Sequence, residues 1–113
     1  MLALLAALAS ALSAGDPVSA MSLFDRGMAD YQTIESDIVA ITSQDDVVCA
    51  IDIVEDKEGK LDTDWYMELR SKSGGAQSER RRERVQLELK QIKGKWKITA
   101  MKPVSILAPV AIR

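Results

Sequence analysis

A chain of 113 residues, 47% of them hydrophobic, has material for one domain with a core and too little for two. Its 15 Lys+Arg against 17 Asp+Glu leave a net charge of −2, so it lacks the basic surplus by which a dedicated nucleic-acid binder displaces counterions. The absence of histidine removes the commonest neutral-pH general base and metal ligand, and the single cysteine, Cys49, excludes an internal disulfide.

The first fourteen residues, MLALLAALASALSA, place Leu2, Leu5, Leu8 and Leu12 at helical spacing with alanine on the other faces. Ala9-Ser10-Ala11 looks like a signal-peptidase site, yet no Lys or Arg precedes the apolar run. The run is also shorter than the ~20 residues of a membrane span, so a buried helix is expected and no membrane association. Met1 followed at once by core residues reads as the start of a trimmed chain. Gly15-Asp16-Pro17 combines a C-cap, an N-cap and a first-turn proline, the components of a helix–helix corner. A short second helix follows with the stripe Val18, Met21, Phe24, ended by Gly27. Asp30 then caps a third, with the stripe Tyr31, Ile34, Ile38, Ile41, and Ser43 to Asp46 closes the helical half.

From Val47 the period changes to two. Val47–Val54 is rich in strand-forming residues, and Glu55–Lys60 makes a turn around Gly59. Leu61, Thr63, Trp65, Met67 and Leu69 alternate with polar residues and Tyr66, giving a strand with one dry and one wet face. Ser71–Ser78, with Gly74-Gly75, reads as a hairpin loop. Val85, Leu87 and Leu89 mark a third strand, and Lys93-Gly94 a tight turn into a fourth that carries Trp96, Ile98 and Ala100 inward. Pairing Trp65 with Leu87 sets Met67 against Val85, Glu68 against Arg84 and Asp62 against Lys90, while pairing Ile92 with Lys95 puts Leu89 beside Ile98. The expectation is one α+β domain over 1–113: helices over 1–42, a four-stranded antiparallel meander over 46–102 curved around them, and a tail over 103–113 lying on the core's edge.

Three wordings carry a family resemblance. "ALSAGDPVSAMSLFD" resembles the opening, and "DWYMELRSK" with "RRRERVQLELKQIKGKWKITAMKP" the closing strands, of the nuclear transport factor 2-like (SnoaL-like, ketosteroid-isomerase-like) superfamily; the closing "ILAP" also fits. The resemblance implies a cone-like, cystatin-like α+β fold, in a minimal version because Phe24 to Tyr31 is too short for the extra strand pair of many members. It also implies a homodimer associating through the sheet. Catalytic members place Asp, His or Tyr on the cone's inner face, and no such set maps onto this chain.

The inner face offers Tyr31, Cys49, Thr63, Trp65, Met67 and Trp96 as the wall of a pocket for a small apolar ligand, with plain core packing as the competing reading. An isomerase or dehydratase would instead need Tyr31, Asp30 or Glu83 to converge on a cavity. Glu83 is expected at the rim of the hairpin, in an ion pair with a nearby arginine. Cys49, on a strand and without a histidine to help it ionise, reads as a packed thiol. Glu79-Arg80-Arg81-Arg82-Glu83-Arg84 reads as a solvated face paired with Glu68 and Asp64, and the acidic stretch Asp52–Glu58 lacks the spacing of a calcium loop. The expected function is a non-catalytic binding or association module, with no catalytic residues, metal or cofactor, probing a second copy of itself and a small apolar molecule rather than nucleic acid. The compartment is left open.

Overall fold

Leucine at every third or fourth position makes Leu2–Ser13 a helix, α1, which buries Leu4, Leu5, Leu8, Ala11 and Leu12. The computed structural model describes residues 2–74 and 78–110, apart from the side chain of Leu2, so that leucine's expected burial, residues 75–77 of the hairpin loop and the last three residues of the tail lie outside the described residues. The chain leaves α1 through Gly15 at φ 68°, and the N–H groups of Gly15 and Asp16 donate to the Leu12 and Ala11 carbonyls at 3.2 and 2.9 Å. Asp16 Oδ1 then accepts the Ser19 N–H at 3.1 Å and caps α2, Pro17–Met21, as its position before proline suggests. With barely more than one turn, α2 buries only Ala20 and Met21. Val18 is 80% exposed and does not join the expected stripe, because its side of the turn faces water.

The third helix, α3, spans Tyr31–Gln44 and buries Ile34, Ile38 and Ile41. Asp30 stands at its N-cap but makes no side-chain capping bond. Four strands follow: β1 Asp45–Lys57, β2 Lys60–Ser71, β3 Ser78–Ile92 and β4 Lys95–Lys102, antiparallel and in the order β1-β2-β3-β4. Two-residue turns at Glu58-Gly59 and Lys93-Gly94, with both residues of each at positive φ, match the right-handed twist of the strands they join. At Gly59 a Cβ would come within 2.9 Å of the Leu89 carbonyl, so the close approach as well as the φ of 87° requires glycine. Leu23 to Asp25 run along the free edge of β4: the Ile98 N–H donates to the Leu23 carbonyl at 2.9 Å, and the Asp25 N–H to the Ile98 carbonyl at 2.8 Å.

The inner face of the sheet and the helices make one core. Trp65, Met67, Leu69, Val85 and Ile98 are fully buried in it with Leu8, Leu12 and the three isoleucines of α3. The β3–β4 pairing is as expected, Ile92 with Lys95 and Leu89 with Ile98. The β2–β3 register is not: Trp65 faces Glu83, Thr63 faces Val85 and Leu61 faces Leu87, a slip of four residues from the pairing read off the sequence. An even slip keeps every side chain on its face, so the dry–wet pattern alone does not distinguish the two registers. The observed one lets β3 start at Ser78 and gives Thr63 Oγ1 the Val85 carbonyl as acceptor, at 2.6 Å.

A bulge corrects the fourth strand. Leu89 pairs with Ile98 but Glu88 with Ala100, so Thr99 is an extra residue. The alternation is rephased, and Met101, not Ala100, takes the buried position opposite Leu87. Trp96 is also not inward-buried as expected. It is 39% exposed, opposite Gln91 and next to the tight turn, where the hairpin tip leaves it in contact with solvent.

Candidate functional site

The alternation of β2 sends Thr63, Trp65 and Met67 into the core at zero exposure, and Cys49 of β1 sits opposite Met67. The indole Nε1–H of Trp65 donates to Thr63 Oγ1 at 2.9 Å, and that hydroxyl donates onward to the Val85 carbonyl. Every polar atom of this pair is thereby satisfied within the protein, so a ligand would find no donor waiting there.

Three clefts open elsewhere. One of about 570 Å³ lies between α2, α3 and the β3–β4 hairpin, with an apolar side that includes Val18, Phe24, Tyr31, Val39 and Ile92 and a charged rim of Asp25, Arg26, Glu35, Lys93 and Lys97. A second, about 460 Å³, lies between Met28, Asp30 and the end of β4. A third, about 420 Å³, crosses the outer face of the sheet, where Lys60, Asp62, Gln86 and Lys102 contribute. Of the six pocket candidates only Tyr31 lines any of these three; Cys49, Thr63, Trp65, Met67 and Trp96 do not. The residues an isomerase would need are likewise separated. Tyr31 opens on the first cleft, Asp30 on the second, and Glu83 lines none of the three. Among the described residues no cluster of metal-ligating side chains occurs, and no helix is long and apolar enough to cross a membrane.

Burial pushes the Cys49 thiol from its ordinary 9.0 up to about 12. A folded-state value above the unfolded one means that the native state holds the proton more tightly. This contribution to stability is full below about pH 9 and is lost as the pH rises from there towards 12. At pH 8.5 Cys49 is therefore expected to react with a disulfide reagent at least about 100-fold more slowly than an unfolded control. Equal rates in native buffer and in urea would contradict its packed position.

The outer face is organised differently. Its cross-strand rows run Val48–Glu68–Arg80, Ala50–Tyr66–Arg82 and Asp52–Asp64–Arg84 from β1 to β3. Side chains on β1 are thus aliphatic or acidic and those on β3 are cationic, where the sequence reading had set Glu68 against Arg84. Tyr66 donates its hydroxyl to Glu68 Oε2 at 2.9 Å, which raises its pKa, and Arg82 lies over its ring at 5.6 Å. Glu68 takes a second bond from Arg70 Nη2 at 3.1 Å, and these two hydrogen bonds hold its carboxyl below the usual range. Val48 is 49% exposed on this surface; Val54, equally exposed, is the extra residue where the register shifts between Ile53 and Glu55. The register slip hid the row composition from the sequence, although the period-two arginines were already a signal.

Two further charges face inward. Because β3 starts at Ser78, Glu79 and Arg81 lie opposite Leu69 and Met67 on the helix side of the sheet, joining Glu83 there.

No family model matches this sequence, and no curated protein does. Solved structures do share its architecture. A protein from Xanthomonas campestris described as a calcium/calmodulin-dependent protein kinase II association domain superposes with a TM-score of 0.64 at 15% identity, over 88% of this chain and 81% of that one. A designed nuclear transport factor 2-like protein gives 0.60 at 15% identity, over 88% and 92%. The chain has the nuclear transport factor 2-like fold. At this identity the likeness extends to the fold alone.

Proposed function

We propose that this chain, with its nuclear transport factor 2-like fold, is a non-catalytic association module that pairs with a second copy through the outer face of its sheet. The observation that carries the reading is the charge division across that face: Arg80, Arg82 and Arg84 on β3, against Asp46, Asp52 and the exposed Val48 and Ala50 on β1. A two-fold axis parallel to the strands, lying between the two facing sheets above Tyr66, lays the arginines of one copy over the acidic strand of the other, which makes the surface complementary to itself. Val48 and Ala50 supply apolar area beside these charges. The structural neighbour from Xanthomonas campestris, described as an association domain, is consistent with this role. A small apolar molecule is the second expected ligand, and the Tyr31 cleft, whose volume lies in the range of small-molecule sites, is its place.

Native mass spectrometry of freshly purified protein tests both parts. The expected species is twice the chain mass of 12.4 kDa, with or without added small-molecule mass. A single-chain mass at tens of micromolar would overturn the pairing.

A further inference from the structure

Beyond the sheet's outer face, the C-terminal tail is attached in an unusual way. After β4 the chain forms a 3-10 turn over Ser105–Leu107, and Ile106 and Leu107 are buried where this turn packs against α3 and β3. The tail's own main-chain bonds are local: the Leu107 N–H donates to Val104 and the Ala108 N–H to Ser105, at 3.1 and 3.0 Å. Among the described residues, one side chain ties it by hydrogen bonds to the rest of the protein. Arg81 Nη1 donates to the Ile106 carbonyl at 2.8 Å and to the Ala108 carbonyl at 2.5 Å, straddling Leu107. Its Nε and Nη2 are held by Glu79 Oε2 at 2.7 and 2.5 Å, so the guanidinium is fixed from behind. Asp37 of α3 lies in the same field, its carboxyl raised by burial and lowered by the Arg81 charge.

We propose that residues 104–108 form a strap that closes an apolar site between α3 and β3, that Ile106 and Leu107 occupy this site in cis, and that Arg81 is its latch. When the strap lifts, the apolar surface that Ile106 and Leu107 cover is open to a small hydrocarbon-rich molecule. The segment opens as a unit because its bonds are to itself and to one arginine, not to the ladder. Arg81 is a positioning residue in the closed state.

The test uses the full chain and compares amide hydrogen exchange in the wild type, Arg81→Met and Arg81→Lys. In Arg81→Met, Leu107 and Ala108 are expected to exchange at least about tenfold faster while Val85 and Leu87 keep their wild-type rates, because two charge-assisted bonds are lost from the tail only. Arg81→Lys, which keeps the charge without the fork, falls between the two. The amphipathic probe 1-anilinonaphthalene-8-sulfonate is expected to gain fluorescence with Arg81→Met and not with the wild type. Equal acceleration of tail and sheet, or no change in the tail, overturns the latch; an unchanged probe signal in a variant whose tail exchanges faster overturns the site. Should Arg81→Met fail to fold, exchange of the wild type in low urea decides the matter. Leu107 and Ala108 must then open with a smaller urea dependence than Val85, and merging of the two overturns the strap. Chain pairing plays no part in these readouts, so the strap and the dimer stand or fall separately.

Discussion

Replacing Trp65 with alanine is expected to cost about 4 kcal/mol, within the 3–5 kcal/mol typical of deleting a large buried aromatic. For a domain whose whole stability is of the order of 5–15 kcal/mol, that is a large fraction. The indole has zero exposure, packs in the one core that joins sheet to helices, and sits at the centre of β2 opposite Ile51 on one side and Glu83 on the other. With a urea dependence of about 2 kcal/mol per molar, the midpoint falls by roughly 2 M. Thr63→Val separates packing from hydrogen bonding. It keeps the shape but removes the acceptor of the Trp65 N–H, and is expected to cost about 1–3 kcal/mol as an orphaned buried donor. A loss under about 1 kcal/mol for Trp65→Ala would mean that the ring does not fill the core.

The second large effect falls on association and leaves the fold alone. Val48→Arg places a cation on the β1 strand that the arginines of the other copy cover, and dimer affinity is expected to drop at least about 100-fold, since like charges held against one another at an interface cost several kcal/mol. The unfolding free energy, measured below the dimer dissociation range, is expected to change by no more than about 0.5 kcal/mol because Val48 is half exposed in the single chain. Charge reversal gives the signed version. A chain with Arg80, Arg82 and Arg84 all changed to Glu, and a chain with Asp46, Asp52 and Asp64 all changed to Lys, are each expected to be monomeric by sedimentation. Mixed together they are expected to form a heterodimer, because each now presents one sign of charge to the other. Failure of the mixture to associate would show that complementarity is not what joins the copies.

The element order was legible because the local signals agree with one another. The Gly15-Asp16-Pro17 corner, the isoleucine stripe of α3 and the two turns at Gly59 and Gly94 each specify backbone geometry without help from the rest of the chain. Register was only half legible. Period-two patterning fixes which face a side chain takes, and it is blind to a slip of four; the choice between registers rests on the loop after Ser71 and on contacts such as Thr63 with Val85. Rephasing at Thr99 was invisible for a similar reason, since a bulge adds one residue without a glycine or proline to announce it. Trp96 and Val18 show a different limit: apolar character says that a residue can be buried, and only the reach of the neighbouring elements says whether it is. The candidate pocket followed the same logic. Thr63, Trp65 and Met67 were rightly placed inside, but whether the inside is open depends on side-chain volumes that the pattern does not sum. Arg81 was not legible because its charged run reads as a solvated face; the period of two sets it on the side of Val85 and Leu87, and the extension of β3 back to Ser78 makes that side part of the sheet.

The inner side of the sheet holds the helices, and the proposed pairing gives its outer side to a second copy. A nitroxide label at position 50 in a Cys49→Ser background reads this directly by electron–electron dipolar coupling. Sheets packed face to face lie about 10 Å apart, so labels on facing outer surfaces are predicted to give a narrow inter-chain distance below roughly 30 Å. Absence of dipolar coupling at concentrations well above the dissociation range, or a dimer whose labels lie beyond roughly 45 Å, would place the contact elsewhere or remove it.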